Sequence, residues 1–262
     1  MSYIRVEGVS KRFGSTQALK DVSFEIPRGE FVVVLGASGS GKSTLLRCMN
    51  GLTKPTSGTI TIDDQVITEP HPDVAMIFQQ HNIIDQMSAY SNALTGSLQR
   101  TSVLKSVFQF NDREDKLEAL SALETVGLLE EAEQRASQMS GGQQQRVGIA
   151  RALVQNPVTL LADEPVASLD PGSSQKVMTY LLRATEDRGL TTLVSLHQVN
   201  LARQFGQRFI GLKGGEIVFD GYADEFDLDV VDMIYDSPAI DDIVDGDGST
   251  EDGDGQSDEV AA

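Results

Sequence analysis

The stretch that most constrains this chain is Gly36-Ala37-Ser38-Gly39-Ser40-Gly41-Lys42-Ser43. The apolar run Phe31-Val32-Val33-Val34-Leu35 leads into it, and helix-forming Thr44-Leu45-Leu46-Arg47-Cys48-Met49 follows. Strand, glycine-rich turn and helix in the pattern G-x-x-x-x-G-K-[ST] make a phosphate-binding loop. The chemistry sets the residue types. Glycines let backbone N–H groups converge on a polyphosphate without a Cβ in the way. The helix that follows points its positive N-terminal end at the same anion. Lys42 reaches the β- and γ-phosphates, and the Ser43 hydroxyl is placed to ligate Mg²⁺.

A second apolar run, Val158-Thr159-Leu160-Leu161-Ala162, ends in Asp163-Glu164-Pro165. In a parallel α/β sheet, strand C-terminal ends meet at one ligand crevice, so this acidic pair is expected beside the first loop. Asp163 would orient Mg²⁺ through water or through Ser43. Glu164 would polarise an attacking water, a role worth about 10²–10⁴ in rate. A third motif, Met139-Ser140-Gly141-Gly142-Gln143-Gln144-Gln145-Arg146, sets Ser-Gly-Gly at the start of another helix. That makes a second phosphate-binding helix N-terminus. One nucleotide-binding domain has no use for two. A head-to-tail pair of copies does, because Ser140–Gly142 of one then covers the γ-phosphate held by Lys42 of the other.

Around these motifs the chain reads as α/β. Residues 3–9 and 22–26 alternate as strands, with a turn at Lys11-Arg12-Phe13-Gly14. Short strands are expected at 59–62 and 74–78. From about 87 to 155 strand-like runs disappear, and Leu117, Leu120, Leu123, Val126 and Leu129 recur at helical spacing. This is expected to be a helical subdomain inserted into the α/β body. A helix over 172–187, a strand over 191–196, His197, a short helix and a hairpin about Gly214-Gly215 complete a domain ending near 224. Val230–Tyr235 is expected to give one helical turn or more, and disorder is expected from about 241.

The 262 residues carry a net charge of −18, and the charge is localised. Fifteen of the 39 acidic residues lie in 224–262, which hold no Lys or Arg, leaving 24 acidic against 21 basic residues in 1–223. The body is nearly balanced and the tail is the acidic object. It reads as a solvated appendage, with a regulatory segment as the alternative. An acidic chain with only 8 Lys points to a high-salt cytoplasm, where acidic surfaces stay soluble. No basic stripe supports nucleic-acid binding. The single cysteine, Cys48, excludes an intrachain disulfide or a cysteine metal cluster. No apolar run reaches the roughly 18–20 residues that span a bilayer, and the N-terminus lacks a secretory signal, so a soluble cytoplasmic protein is expected.

With the Ser-Gly-Gly-Gln motif the chain resembles the ATP-binding subunits of ABC transporters over residues 1 to about 224; Met139 replaces the usual Leu of their signature. The resemblance implies a P-loop NTPase (RecA-like) core with an antiparallel β subdomain and an inserted helical subdomain. It implies ATP and Mg²⁺ as cofactors, a second copy closing an ATP-sandwich dimer, and hydrolysis coupled to a membrane permease at the cytoplasmic face. An extracytoplasmic solute-binding protein is an indirect partner. The loop residues Gly36 to Ser43 with Thr44, and Ser140, Gly141, Gly142 and Gln143, fall on nucleotide-binding positions. Phe13 falls where the family stacks an aromatic on adenine. Gln79, or Gln80 after a one-residue shift, falls on the glutamine that senses Mg²⁺ and the permease. Asp170 closes the loop that crosses the dimer interface. His197 stands where a histidine bonds the γ-phosphate. The implied catalytic set is Glu164, His197 and Lys42, with Ser43, Gln79 and Asp163 at the metal.

Several stretches look like the phosphonate-import branch: Phe78-Gln79-Gln80-His81-Asn82, Asn92-Ala93-Leu94-Thr95-Gly96, Gly221 after Phe219-Asp220, Ala162-Asp163-Glu164-Pro165-Val166-Ala167-Ser168-Leu169-Asp170 and Val194-Ser195-Leu196-His197-Gln198-Val199. Polar amino-acid importers, the alternative, usually read Glu-Pro-Thr-Ser-Ala-Leu-Asp and Thr-His-Glu at the last two. A soluble ABC ATPase usually carries tandem halves or a long coiled-coil insertion, and this chain has neither. A non-catalytic binding module would not need Lys42, Asp163, Glu164 and His197 together.

Overall fold

The computed structural model describes residues 2–80, 82–99 and 113–235. Phe31–Leu35 is apolar at every position because both faces of its sheet are covered. The chain starts with an antiparallel pair, β1 (Ser2–Phe13) and β2 (Thr16–Pro27). Then come β3 (Phe31–Leu35), α1 (Lys42–Met49), β4 (Ser57–Ile62), β5 (Gln65–Val66) and β6 (Val74–Ile77). A helical part follows: α2 (Ala89–Leu94), a 3₁₀ turn at Thr95–Gln99, α3 (Arg113–Thr125), and α4 (Gly141–Val154). The chain closes with β7 (Thr159–Asp163), α5 (Pro171–Arg188), β8 (Thr191–Leu196), α6 (Val199–Phe205), β9 (Arg208–Lys213), β10 (Glu216–Tyr222) and α7 (Leu228–Tyr235).

Two sheets result. One is antiparallel, in the order β2-β1-β4-β5; the other has six strands, β10-β9-β3-β8-β7-β6. In the larger sheet β3 runs parallel to β8 and β9, β7 runs parallel to β6 and β8, and only β10 is antiparallel. Side chains alternate across β3. Val32 and Val34 enter a core shared with α1 and the antiparallel sheet, among Ile4, Leu19, Leu45 and Met49. Phe31, Val33 and Leu35 enter a second core under the helices, among Val147, Leu153 and Val177. Because β3, β7 and β8 are parallel neighbours, the segments that leave their C-terminal ends emerge on one edge. Those segments are the phosphate loop, Glu164 and His197.

The structure departs from the sequence reading in four places. Lys11, Arg12 and Phe13 are strand, not turn; β1 continues until Phe13 pairs with Thr16, and the reversal is Gly14-Ser15. The leucine series of the helical part is only partly core: Leu123 and Val126 are buried, but Leu117, Leu120 and Leu129 are exposed. Steps of three residues advance 300°, so such a series drifts round the helix. The face that packs is Ala119, Ala122, Leu123 and Val126. The inserted part is also not purely peripheral, since α4 runs back to pack against α5 and β6. Finally, packing continues past residue 224. Phe226 stacks on Phe209 with ring centroids 4.2 Å apart, and α7 buries Val231 and Ile234. The expectations for 101–112 and 236–262 lie outside the described residues.

Candidate nucleotide site

The turn after β3 is built for close backbone approach. Gly36 has φ +153°, and a Cβ there would lie 2.2 Å from the Leu212 carbonyl oxygen. Gly41 has φ +112°, and a Cβ there would meet the Ala18 carbonyl at 2.7 Å. No side chain can replace either without moving backbone. Gly41 is also the N-cap of α1 and supplies no side-chain cap, so the first turn of the helix presents N–H groups to whatever lies in front of it. Ser40 is 5% exposed, and among the described residues its hydroxyl has no partner. A buried, unpaired hydroxyl is costly unless a ligand satisfies it.

Lys42 is buried, and its ammonium is held by acceptors from the chain itself. It donates to the carbonyls of Gly36 at 2.6 Å and Ala37 at 3.2 Å. It also lies 3.5 Å from Glu164 Oε1. Ser43 Oγ donates to Asp163 Oδ1 at 2.7 Å, tying α1 to the end of β7. The other carboxylate oxygen of Asp163 faces Arg47 Nη2 at 4.0 Å. Glu164 has φ +46°, a left-handed conformation that costs a non-glycine residue on the order of 1–3 kcal/mol. That turn takes the Glu164 side chain off the strand and into the pocket.

The pocket has a volume of about 320 Å³ and is lined by Ser38 to Thr44 with Ala18, Gln79 and Glu164. It brings together Ser38 to Thr44 and Gln79 of the expected nucleotide set; Gln79 lines it and Gln80 does not. An adjoining pocket of about 230 Å³ reaches round Ala37–Ser40 to Lys213, Gly214, Ile234 and Tyr235.

The other expected residues stand outside. Phe13 is 52% exposed at the tip of the β1–β2 hairpin, with the Lys11 ammonium 4.9 Å from its ring centroid. His197 is exposed at the end of β8, and its backbone carbonyl accepts from the Tyr235 hydroxyl at 3.2 Å. Ser140 and Gln143 form a capping box on α4: Ser140 N–H donates to Gln143 Oε1 at 2.9 Å, and Gln143 N–H donates to Ser140 Oγ at 3.3 Å. Gly142 is pressed against α5, where a Cβ would lie 3.0 Å from Ser173 Oγ. Asp170 caps α5, and hydrogen bonds from Ser173 hold its carboxyl below the usual carboxylate range. Neither Asp170 nor residues 140–143 line the Lys42 pocket of their own chain.

Sequence reasoning passed over two residues that touch this machinery. Ser195 lies inside buried β8 and bonds both Asp163 and Glu164. A serine two residues before His197 in an otherwise apolar stretch of strand was the available signal. Tyr235 was hidden in the acidic C-terminal segment.

The family profile described as ABC transporter matches residues 19–167. The chain belongs to the ABC transporter family. Among curated relatives, the phosphonates import ATP-binding protein PhnC of Halobacterium salinarum is 63% identical over 252 residues, covering 96% of this chain and 90% of the relative. The protein of the same name from Thiobacillus denitrificans is 48% identical, over 92% of this chain and 96% of its own length. Among solved structures, the dimeric post-hydrolysis structure of the ATP-binding cassette MJ0796 bound to ADP and Pi superposes with a TM-score of 0.72. It is 35% identical, covering 84% of this chain and 98% of that one. A nucleotide-free ATP-binding cassette from an ABC transporter gives 0.78 at 27% identity, covering 94% and 100%. This ABC chain therefore has the P-loop NTPase core, the antiparallel β subdomain and the helical insertion expected of it.

Proposed function

We propose that this chain is the ATP-hydrolysing subunit of an importer that energises uptake of phosphonates, or related phosphorus oxyanions, through a separate membrane permease. The observation that carries the substrate class is likeness over nearly the whole chain to proteins named for phosphonate import. Among the described residues no helix is long and apolar enough to cross a membrane. The chain then works from the cytoplasmic face on permease subunits that a solute-binding protein supplies.

The pocket fits Mg²⁺ and ATP by its donors: an unpaired buried Ser40 hydroxyl, an uncapped helix start, a buried lysine, and hard oxygen ligands at Ser43 and Asp163. ATP with Mg²⁺ supplies the γ-phosphoryl group and the charge that holds it. Gly36–Thr44 cradle the phosphates. Lys42 leaves the Gly36 and Ala37 carbonyls for them, and in doing so releases Glu164. Ser43 and Gln79 would hold the metal, with Asp163 reaching it through water. Glu164 then takes the proton of the attacking water, while Lys42 and His197 stabilise the developing charge. Phe13 stacks on the base. The partner's Ser140, Gly141, Gly142 and Gln143 close the same site across a dimer, beside the loop ending in Asp170.

A cleft of about 220 Å³ beyond Gln79, lined by Leu52, Met76, Phe78, Thr95 and Arg151, lies between the sheet and the helical part. It suits a permease helix, so closure at the phosphates is felt in the membrane. Reconstitution with the cognate permease and solute-binding protein tests the reading. ATPase stimulation by phosphonates, phosphite or phosphate is expected; stimulation by amino acids alone would replace the substrate class.

A further inference from the structure

Ser195 is fully buried in β8, and its hydroxyl is used twice. It accepts from the Glu164 backbone N–H at 2.9 Å and donates to Asp163 Oδ1 at 3.2 Å. Asp163 and Ser195 are the last register pair between β7 and β8. Beyond that pair Glu164 turns away at φ +46°. The hydroxyl thus supplies an acceptor where the main-chain ladder stops, at the residue whose conformation aims the carboxylate into the pocket. The same oxygen of Asp163 that receives Ser195 also receives Ser43 Oγ at 2.7 Å. A hydroxyl has one proton to give, and an ionised carboxylate only accepts, which fixes the direction of the relay: Glu164 N–H to Ser195 Oγ–H to Asp163. Each link polarises the next.

We infer that Ser195 is a positioning residue for ATP hydrolysis: it locks the turn that presents Glu164 and orients the Asp163 carboxylate toward the Ser43 metal position. Ser195 is fully buried and does not line the Lys42 pocket, so it would touch neither nucleotide nor the attacking water. It acts through the two residues that do, as outer-shell partners of metal ligands act. A strand position of this kind would serve packing alone with Ala or Val; the paired contacts on Asp163 and Glu164 need an oxygen.

The inference rests on the ATPase reading, and one experiment separates the two. Full-length protein is prepared as wild type, Ser195→Thr, Ser195→Val and Ser195→Ala. Thr and Val have nearly the same shape and differ by the hydroxyl. Two measurements are made: kcat and KM for ATP across a Mg²⁺ titration, and the Mg²⁺-dependent gain in affinity for a fluorescent ATP analogue. Val and Ala are expected to lower kcat about 10–100-fold, within the range for loss of outer-shell partners of metal sites. They should also raise the half-saturating Mg²⁺ several-fold and shrink the Mg²⁺-dependent affinity gain. KM for ATP at saturating Mg²⁺ should stay within about twofold, and Thr should restore all three changed quantities. Val equal to Thr in kcat and Mg²⁺ midpoint overturns the inference. So does loss of the fold in Val and Ala alike, which would make the hydroxyl a fold determinant. A wild type without Mg²⁺-dependent hydrolysis would instead remove the ATPase reading beneath it.

Discussion

Cys48 shows how far a single residue's surroundings can be read as chemistry. It lies fully buried on α1, one turn beyond the metal-side serine, and burial pushes its thiol up to about 11 from 9.0. A raised thiol means the folded state holds its proton longer than the unfolded chain. The stability this contributes is complete below about pH 9 and is lost as pH rises through about 11. Thermal unfolding of wild type and Cys48→Ala should therefore converge from pH 9 to pH 11, and native Cys48 should resist alkylation at pH 8. A thiol labelled as fast as free cysteine would contradict the packing of α1. At the same scale the sequence was legible wherever backbone geometry dictates residue type. Gly36 and Gly41 could be named from pattern alone, because only glycine fits there. Gln79 was preferred to Gln80 on the resemblance alone, since one residue of register separates them and the local pattern does not distinguish them.

Among the elements, α7 was legible as helix over Val230–Tyr235, but its packing onto the body was not. Its eight residues carry Asp229 and Asp232 in a stretch whose composition is dominated by acid. Six of its eight residues are apolar or aromatic, so the pattern shows a helix, but it does not say which face is covered or by what. Packing supplies what pattern did not. Phe226 is 6% exposed, and Ile234 fits over Gly211, where a Cβ would lie 2.6 Å from its Cδ1. Lys213 Nζ also donates to the Met233 carbonyl at 2.8 Å. Phe226→Ala should cost about 3–5 kcal/mol and lower Tm by several degrees. Deletion of 225–262 should destabilise at least as much, while deletion of 241–262 should leave Tm and ATPase activity intact. Equal Tm for all three would mean that α7 contributes no packing. The leucine series of α3 failed for the opposite reason. The period was real, but three-residue steps carried Leu117 and Leu120 out of the buried face that the smaller Ala119 and Ala122 occupy.

The whole molecule places two glycine-bearing helix starts in one chain and keeps them apart. The loop before α1 lines its own pocket; the capping box before α4 does not. Fold class and the place of the acidic pair beside the phosphate loop were legible in the sequence because each follows from a local pattern on a parallel sheet; the strand order was not. That the two helix starts serve different copies was expected from the Ser140-Gly141-Gly142 motif, but how the helical part docks to hold them apart was not legible, since no local pattern sets that packing. The net charge of −18 belongs to this scale too. If the acidic surface is matched to a saline cytoplasm, ATPase activity and monomer solubility should persist into molar salt, and full activity only at low salt would refute that match.

A shared site demands that nucleotide, and not contact area alone, hold two copies together. Glu164→Gln keeps the shape of the pocket while removing the base, so ATP should bind and remain. Sedimentation of this variant with ATP and Mg²⁺ tests that directly. The expected result is a stable dimer that reverts to monomer with ADP, with turnover nearly abolished. A monomer under both nucleotides, or turnover equal to wild type, would contradict the account.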